Sequence, residues 1–267
     1  MAFESLGIDS VLIVAVLAGA VAFFYSNLGL GGGQLYVPIM DLFFLSLAMR
    51  EIVPLSLCFA FVTMLSATYT HSRKGLVHFK LGGLLAAGGL VGVVAGVLFT
   101  TTVSEWVVKL GFAALLVTAA TKMMYDLRRA KKDYVGCPVS WSLRCRLAGV
   151  GVSVLTGFLI GSFGIGGGVV SVPLIIYVFR FEPRFAIGTS ALMGAILTPA
   201  AFVAYALTEG VTIHYDLALA LTPIVFVMGF MGSTWGLKKL KTKVVKMIFT
   251  CGVYLAASEM IMSILLD

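Results

Sequence analysis

Two ten-residue stretches hold most of the chemistry that this chain offers. Gly29-Leu30-Gly31-Gly32-Gly33-Gln34-Leu35-Tyr36-Val37-Pro38 recurs, at an offset of 135 residues, as Gly164-Ile165-Gly166-Gly167-Gly168-Val169-Val170-Ser171-Val172-Pro173. Three consecutive glycines tolerate positive φ and weaken a helix, so each stretch invites a break. Pro38 and Pro173 are expected at the start of the helix that follows, where a missing N–H costs nothing. A helix start carries unpaired N–H donors and the positive end of the helix dipole, and without Cβ atoms a small ligand can approach the backbone closely. Such an end suits an anion. The expected donors are the backbones of Gly31, Gly32 and Gly33 and of Gly166, Gly167 and Gly168.

These elbows must sit in an apolar frame. Sixty per cent of the 267 residues are hydrophobic, 12% are charged, and the mean hydropathy is +1.06. A soluble domain carries about 25% charge, so a soluble enzyme, a disordered chain and a nucleic-acid binder are excluded, and a multi-pass membrane protein is expected. The net charge of +7 comes from Lys and Arg gathered between apolar runs, as in cytoplasmic membrane loops. Met1 to Ser10 holds Glu4 and Asp9 and no Lys or Arg, which points to an exported N-terminus rather than a cleavable signal. Four scattered cysteines make no disulfide framework.

Apolar stretches fall at 11–28, 35–48, 52–70, 77–100, 104–125, 147–165, 170–180, 185–207, 215–236 and 244–266. Eight are long enough to span a bilayer unaided; 35–48 and 170–180 are short, and each follows a glycine cluster. Further features recur at nearly the same offset: Arg50 and Ser56 match Arg184 and Ser190, and Gly75 matches Gly210. The chain therefore divides into a first repeat (1–125), a basic linker (126–146) and a second repeat (147–267). If the short segments do not cross, the copies are parallel and the 19 Lys and Arg split ten inside to nine outside. If both cross, the copies are inverted, and only Arg50 and Lys109 fall outside. The expected fold is thus all-α: ten segments in two inverted repeats of five, with broken helices at the glycines, the linker cytoplasmic and the N-terminus outside. Inverted repeats whose broken helices meet near the midplane are a secondary-transporter architecture.

Polar side chains near the elbows are candidates to complete the pocket: Asn27, Gln34, Ser162 and Ser171, with Ser56, Thr189 and Ser190 on the following spans. Serine and threonine hydroxyls equally bond their own helix or a neighbour. Asp41 lies in an apolar short helix, where a carboxylate calls for a functional hypothesis. It could carry a coupling proton, face water near the outer end of its helix, or pair with Arg50. Glu259 is expected to reach the outer interface. Gly92-x-x-x-Gly96 and Gly232-x-x-x-Gly236 read as packing faces, with room for a homodimer. His71, His78 and His214 lack metal-ligand spacing, and Cys137 with Cys145 is a weak pair. No nucleophile–base arrangement or phosphate loop appears, so no enzyme, cofactor or metal is expected.

The duplicated motifs Gly29–Pro38 and Gly164–Pro173, in a chain of this length, resemble those of the sulfite exporter TauE/SafE family of membrane permeases. The resemblance covers essentially the whole chain. It implies transport of small sulfur-containing or organic anions, such as sulfite or sulfonates, across the cytoplasmic membrane; the inverted repeats point to alternating access about the central pocket. Gln34 and Tyr36 face Val169 and Ser171 in the second copy, so the pocket need not be symmetric. The competing class is a membrane assembly or partner-binding protein that transports nothing.

Overall fold

A computed structural model describes residues 7–128, 143–236 and 252–263. Most of the basic linker, with Cys137, and the lysines from Lys238 to Lys246 lie outside the described residues. Among those described there are ten α-helices. The first five are α1 (Ile8–Tyr25, followed by a 3₁₀ turn Ser26–Leu28), α2 (Gly33–Phe43), α3 (Met49–Arg73), α4 (Phe79–Thr102) and α5 (Glu105–Arg128). The second five are α6 (Leu143–Phe163), α7 (Gly168–Phe179), α8 (Pro183–Ala206), α9 (Tyr215–Met231, running into a π turn Gly232–Gly236) and α10 over 252–263. Each expected apolar stretch coincides with one helix, the last of them (244–266) over its described residues 252–263. Ile8–Leu28, Met49–Arg73, Phe79–Thr102, Pro183–Ala206 and Tyr215–Trp235 are long and apolar enough to cross a membrane. Rows of exposed apolar side chains such as Leu12, Val16, Leu84, Val91, Leu219 and Val227 suit a lipid-facing surface.

Helix directions show the two copies to be inverted. Along α3 and α8, His71 meets Gly188 while Met64 meets Gly194, so these helices run antiparallel. Along α4 and α6, Gly89 meets Gly157 and Gly96 meets Ser162, a parallel pair. The matching pair α1 and α9 is also parallel: Gly19 meets Met228 and Gly232 meets Phe23. Uncrossed short segments would make α3 and α8 parallel, so α2 and α7 must traverse. Equivalent loops accordingly lie on opposite faces. On one face, Glu105 accepts the Met49 N–H and Glu51 faces His214 at 3.8 Å, joining the loops after α2, α4 and α8. On the other, Thr189 accepts the His78 N–H and His78 lies against Phe181, joining the loops after α3 and α7.

Each repeat lends its outer helices to the other, since α1 packs on α9 and α6 on α4. Glycine permits this close approach. A Cβ on Gly92 would strike the Val154 carbonyl oxygen, and one on Gly232 that of Phe23. The Gly92–Gly96 stripe is therefore a packing face, as expected, but it is used within the chain and leaves no face there for a second copy.

Candidate functional site

Glycine sets the geometry of both elbows. Gly29, Gly31 and Gly32 have φ of 58, 78 and 86°, and their counterparts Gly164, Gly166 and Gly167 have 65, 72 and 85°. These left-handed conformations cost an ordinary residue about 1–2 kcal/mol each. Gly32 and Gly167 then act as the N-caps of α2 and α7. Both helices therefore begin at Gly33 and Gly168, and Pro38 and Pro173 stand at the sixth helical position, inside the helix rather than at its start as expected. The positive-φ glycines have already turned the chain into the helix one turn before the proline arrives. A proline there removes the hydrogen bond to the residue four places back, which frees the Gln34 and Val169 carbonyls close to the elbows.

The two elbows cross in direct contact. A Cβ on Gly31 would lie 2.9 Å from the Gly166 Cα, and one on Gly166 would lie 3.0 Å from the Gly31 Cα. Gly33 backs onto Gly164 and Ile165, and Gly168 onto Gly29 and Leu30 in the same way. A pseudo-two-fold axis thus passes between Gly31 and Gly166. Ala60 and Met64 of α3 and Gly194 of α8 pack on the crossing near the middle of their helices, which puts it deep within the protein.

This arrangement turns the first turns of α2 and α7 toward each other's elbow. The N–H groups of Gly31, Gly32, Gly33 and Gln34, and of Gly166, Gly167, Gly168 and Val169, make no hydrogen bond to another of the described residues. All but Val169 are buried. Buried orphan donors are rare in native proteins, and two converging positive helix ends repel each other unless negative charge lies between them. The arrangement can bind a small oxyanion without a formal cation.

The first elbow is the more polar of the two. Gln34 is fully buried, with the Tyr25 hydroxyl as the polar neighbour of its amide among the described residues. Asn27 donates to the Phe23 carbonyl at 3.2 Å and leaves its Oδ1 unmatched. The Tyr36 hydroxyl meets Thr63 Oγ1 at 2.9 Å, and Thr63 donates onward to the Phe59 carbonyl. At the second elbow, Ser171 donates to the Gly167 carbonyl and touches Ser190, while Ser56 lies against Gly164. Ser162 and Thr189 stand apart from the crossing. Ser162 donates to the Gly96 carbonyl between α4 and α6, and Thr189 holds the His78 N–H at the head of α4.

Asp41 does not pair with Arg50, which is exposed on the first turn of α3. It is 5% exposed and lies 3.5 Å from Lys109 of α5, itself 6% exposed. Lys109 reaches the end of α2 from α5, whereas Arg50 is exposed at the start of α3. Lys109 also donates to Ser263 at 3.0 Å and lies 3.5 Å from Glu105. Glu259 of α10 does not simply face the interface: it is partly buried within electrostatic reach of both Asp41 and Lys109. Lys109 and Glu259 were not among the expected site residues, although both are ionisable groups in apolar segments, the signal that singled out Asp41. His71, also missed, is 2% exposed, and its ring lies against the backbone of Asn27. Among the described residues no group of three His, Cys, Asp or Glu could hold a metal ion.

Comparison with known proteins adds the following. The family model for the sulfite exporter TauE/SafE matches residues 11–260. The chain is 27% identical over 271 residues to the probable membrane transporter protein YunE of Bacillus subtilis (strain 168), covering 94% of this chain and 96% of that one. It is 25% identical to the probable membrane transporter protein MJ0441 of Methanocaldococcus jannaschii, over 81% and 79% of the two chains. A probable membrane transporter protein of Haemophilus influenzae is 28% identical over 70% of each. No solved structure matches the chain.

Proposed function

The chain belongs to the sulfite exporter TauE/SafE family and is a multi-pass membrane transporter; from that premise, we propose that it moves small oxyanions across the cytoplasmic membrane by alternating access. The cargo is sulfite, a sulfonate or a related sulfur-containing or organic anion. The N-terminus lies outside and the basic linker inside, as the distribution of Lys and Arg requires. One observation carries the reading: two helix N-termini with unpaired, buried N–H groups meet at a glycine crossing on the axis between inverted repeats.

In this mechanism the anion accepts hydrogen bonds from Gly31–Gly33 and Gly166–Gly168, and Gln34 and the serine hydroxyls fit its shape. Neutral donors hold an oxyanion strongly enough to desolvate it and weakly enough to release it, which a buried lysine would not do as readily. The repeats then rock about the crossing and open it to one side at a time.

The test is flux. Purified protein in proteoliposomes should exchange sulfite, thiosulfate or methanesulfonate across the bilayer, and Gly32→Val and Gly167→Val proteins should insert normally and exchange none. A wild-type protein that moves no oxyanion in either direction would instead favour an assembly role.

A further inference from the structure

Resting on the transport reading above, we propose that Asp41, Lys109 and Glu259 form a proton-binding site that couples proton movement to anion movement through α2. The three side chains come from α2, α5 and α10. Asp41 Oδ1 lies 3.5 Å from the Lys109 ammonium, while Asp41 Oδ2 and Glu259 Oε2 are buried and complete no hydrogen bond. Two carboxylates share one cation, so the trio carries one negative charge in excess. One proton from water, bound by either unmatched carboxylate oxygen, makes it neutral while Lys109 remains an ammonium. Because the carboxylates are coupled, the proton belongs to the pair rather than to one residue.

Among the described residues, the other polar groups facing the trio are few. From α5 comes Glu105, 3.5 Å from Lys109 and 43% exposed, which leads from the cluster to solvent on this face. From α10 comes the Ser263 hydroxyl, and from the start of α3 only the Met49 N–H, held by Glu105. None supplies a second cation. Among the described residues nothing cancels the excess charge, and buried ionisable groups in a membrane are costly unless they act.

The position gives the proton something to do. Asp41 is near the C-terminal end of α2, and the orphan donors are at its N-terminal start, so one short helix bears both sites about 12 Å apart. That separation keeps the carboxylates from repelling the cargo. Movement of α2 against α5 would pull Asp41 from Lys109. A bare carboxylate resists this in an apolar setting, and a protonated one does not. Anion binding at one end of α2 and proton binding at the other thus bias the same movement, and the coupling is reciprocal.

Methanesulfonate, an anion at all relevant pH values, is the probe. In proteoliposomes with the membrane potential clamped, an acid-outside gradient should drive net uptake by the wild type. In Glu259→Gln and Asp41→Asn the ratio of gradient-driven uptake to simple exchange should fall by about tenfold or more, the coupling being lost. Exchange reports that each variant is folded. Wild-type exchange with no response to the pH gradient, or unchanged ratios in both variants, would overturn the coupling while leaving the transporter intact. Absence of any wild-type exchange would bring down both readings.

Discussion

Gly33 backs onto Gly164 so closely that a Cβ on Gly33 would strike the Gly164 carbonyl oxygen, and Gly168 stands in the same relation to Gly29. The crossing is thus made of backbone on backbone. No side chain larger than hydrogen fits between the two elbows. Glycine at these positions is required by space as well as by φ.

Substitution at the crossing should therefore be far worse than elsewhere. Gly31→Ala adds a methyl that meets Gly166 and Met64 at a φ of 78°, a conformation that costs about 1–2 kcal/mol before any clash. Gly83→Ala on α4 adds one into open space, where alanine favours the helix by about 0.5–1 kcal/mol. Exchange assays should find Gly31→Ala inactive and Gly83→Ala equal to wild type, with unchanged or higher thermal stability.

Gln34 separates a binding role from a structural one. Its buried amide has the Tyr25 hydroxyl beside it and is otherwise unsatisfied among the described residues, and its counterpart is Val169. Gln34→Val should leave the melting temperature in detergent unchanged or raised, because burying an unsatisfied amide costs about 1–3 kcal/mol. Anion affinity should fall by about tenfold or more, the value of roughly one lost hydrogen bond to a charged group. A large loss of stability with unaltered affinity would show the amide to be structural.

The ion pair should behave as a buried one. Lys109→Met leaves Asp41 and Glu259 without their cation and should cost about 3–5 kcal/mol of stability. The double variant Asp41→Asn, Lys109→Met should recover most of it. Thermal unfolding of the three proteins in one detergent gives the comparison.

Orientation follows from labelling. In a cysteine-free background, Lys74→Cys and Glu209→Cys place thiols in exposed, equivalent loops. A membrane-impermeant maleimide applied outside intact cells should modify position 209 and spare position 74 until the cells are opened. Both reacting from one side would contradict the inverted topology.

The elbows were legible because glycine acts locally. Matching glycines at 29 and 164, 31 and 166, 32 and 167, and 75 and 210 all have positive φ, and that preference is written in the residue itself. The inversion was legible because charge bias registers which face a loop occupies. The partner of Asp41 was not: Lys109 is distant in sequence, and only the tertiary fold brings it to the end of α2 in place of the nearer Arg50. Nor was the role of Tyr205, whose hydroxyl donates to the Gly161 carbonyl at 2.8 Å, in the place where His71 meets Asn27 in the other repeat. A tyrosine and a histidine share no composition signal, and their equivalence emerges only from the pseudo-two-fold axis. The prolines were misplaced because a proline is accepted at a helix start and, less readily, further in, and the glycines had already chosen the start.

The central claim is that one anion sits between two glycine elbows. Selenite, a sulfite isostere whose selenium scatters X-rays anomalously, tests it directly in crystals of exchange-competent protein. A single anomalous peak within hydrogen-bonding distance of the N–H groups of Gly31–Gly33 and Gly166–Gly168, absent in Gly32→Val, is the predicted result. A peak bound elsewhere in the membrane region, with the elbows still closed on each other and empty, would contradict it.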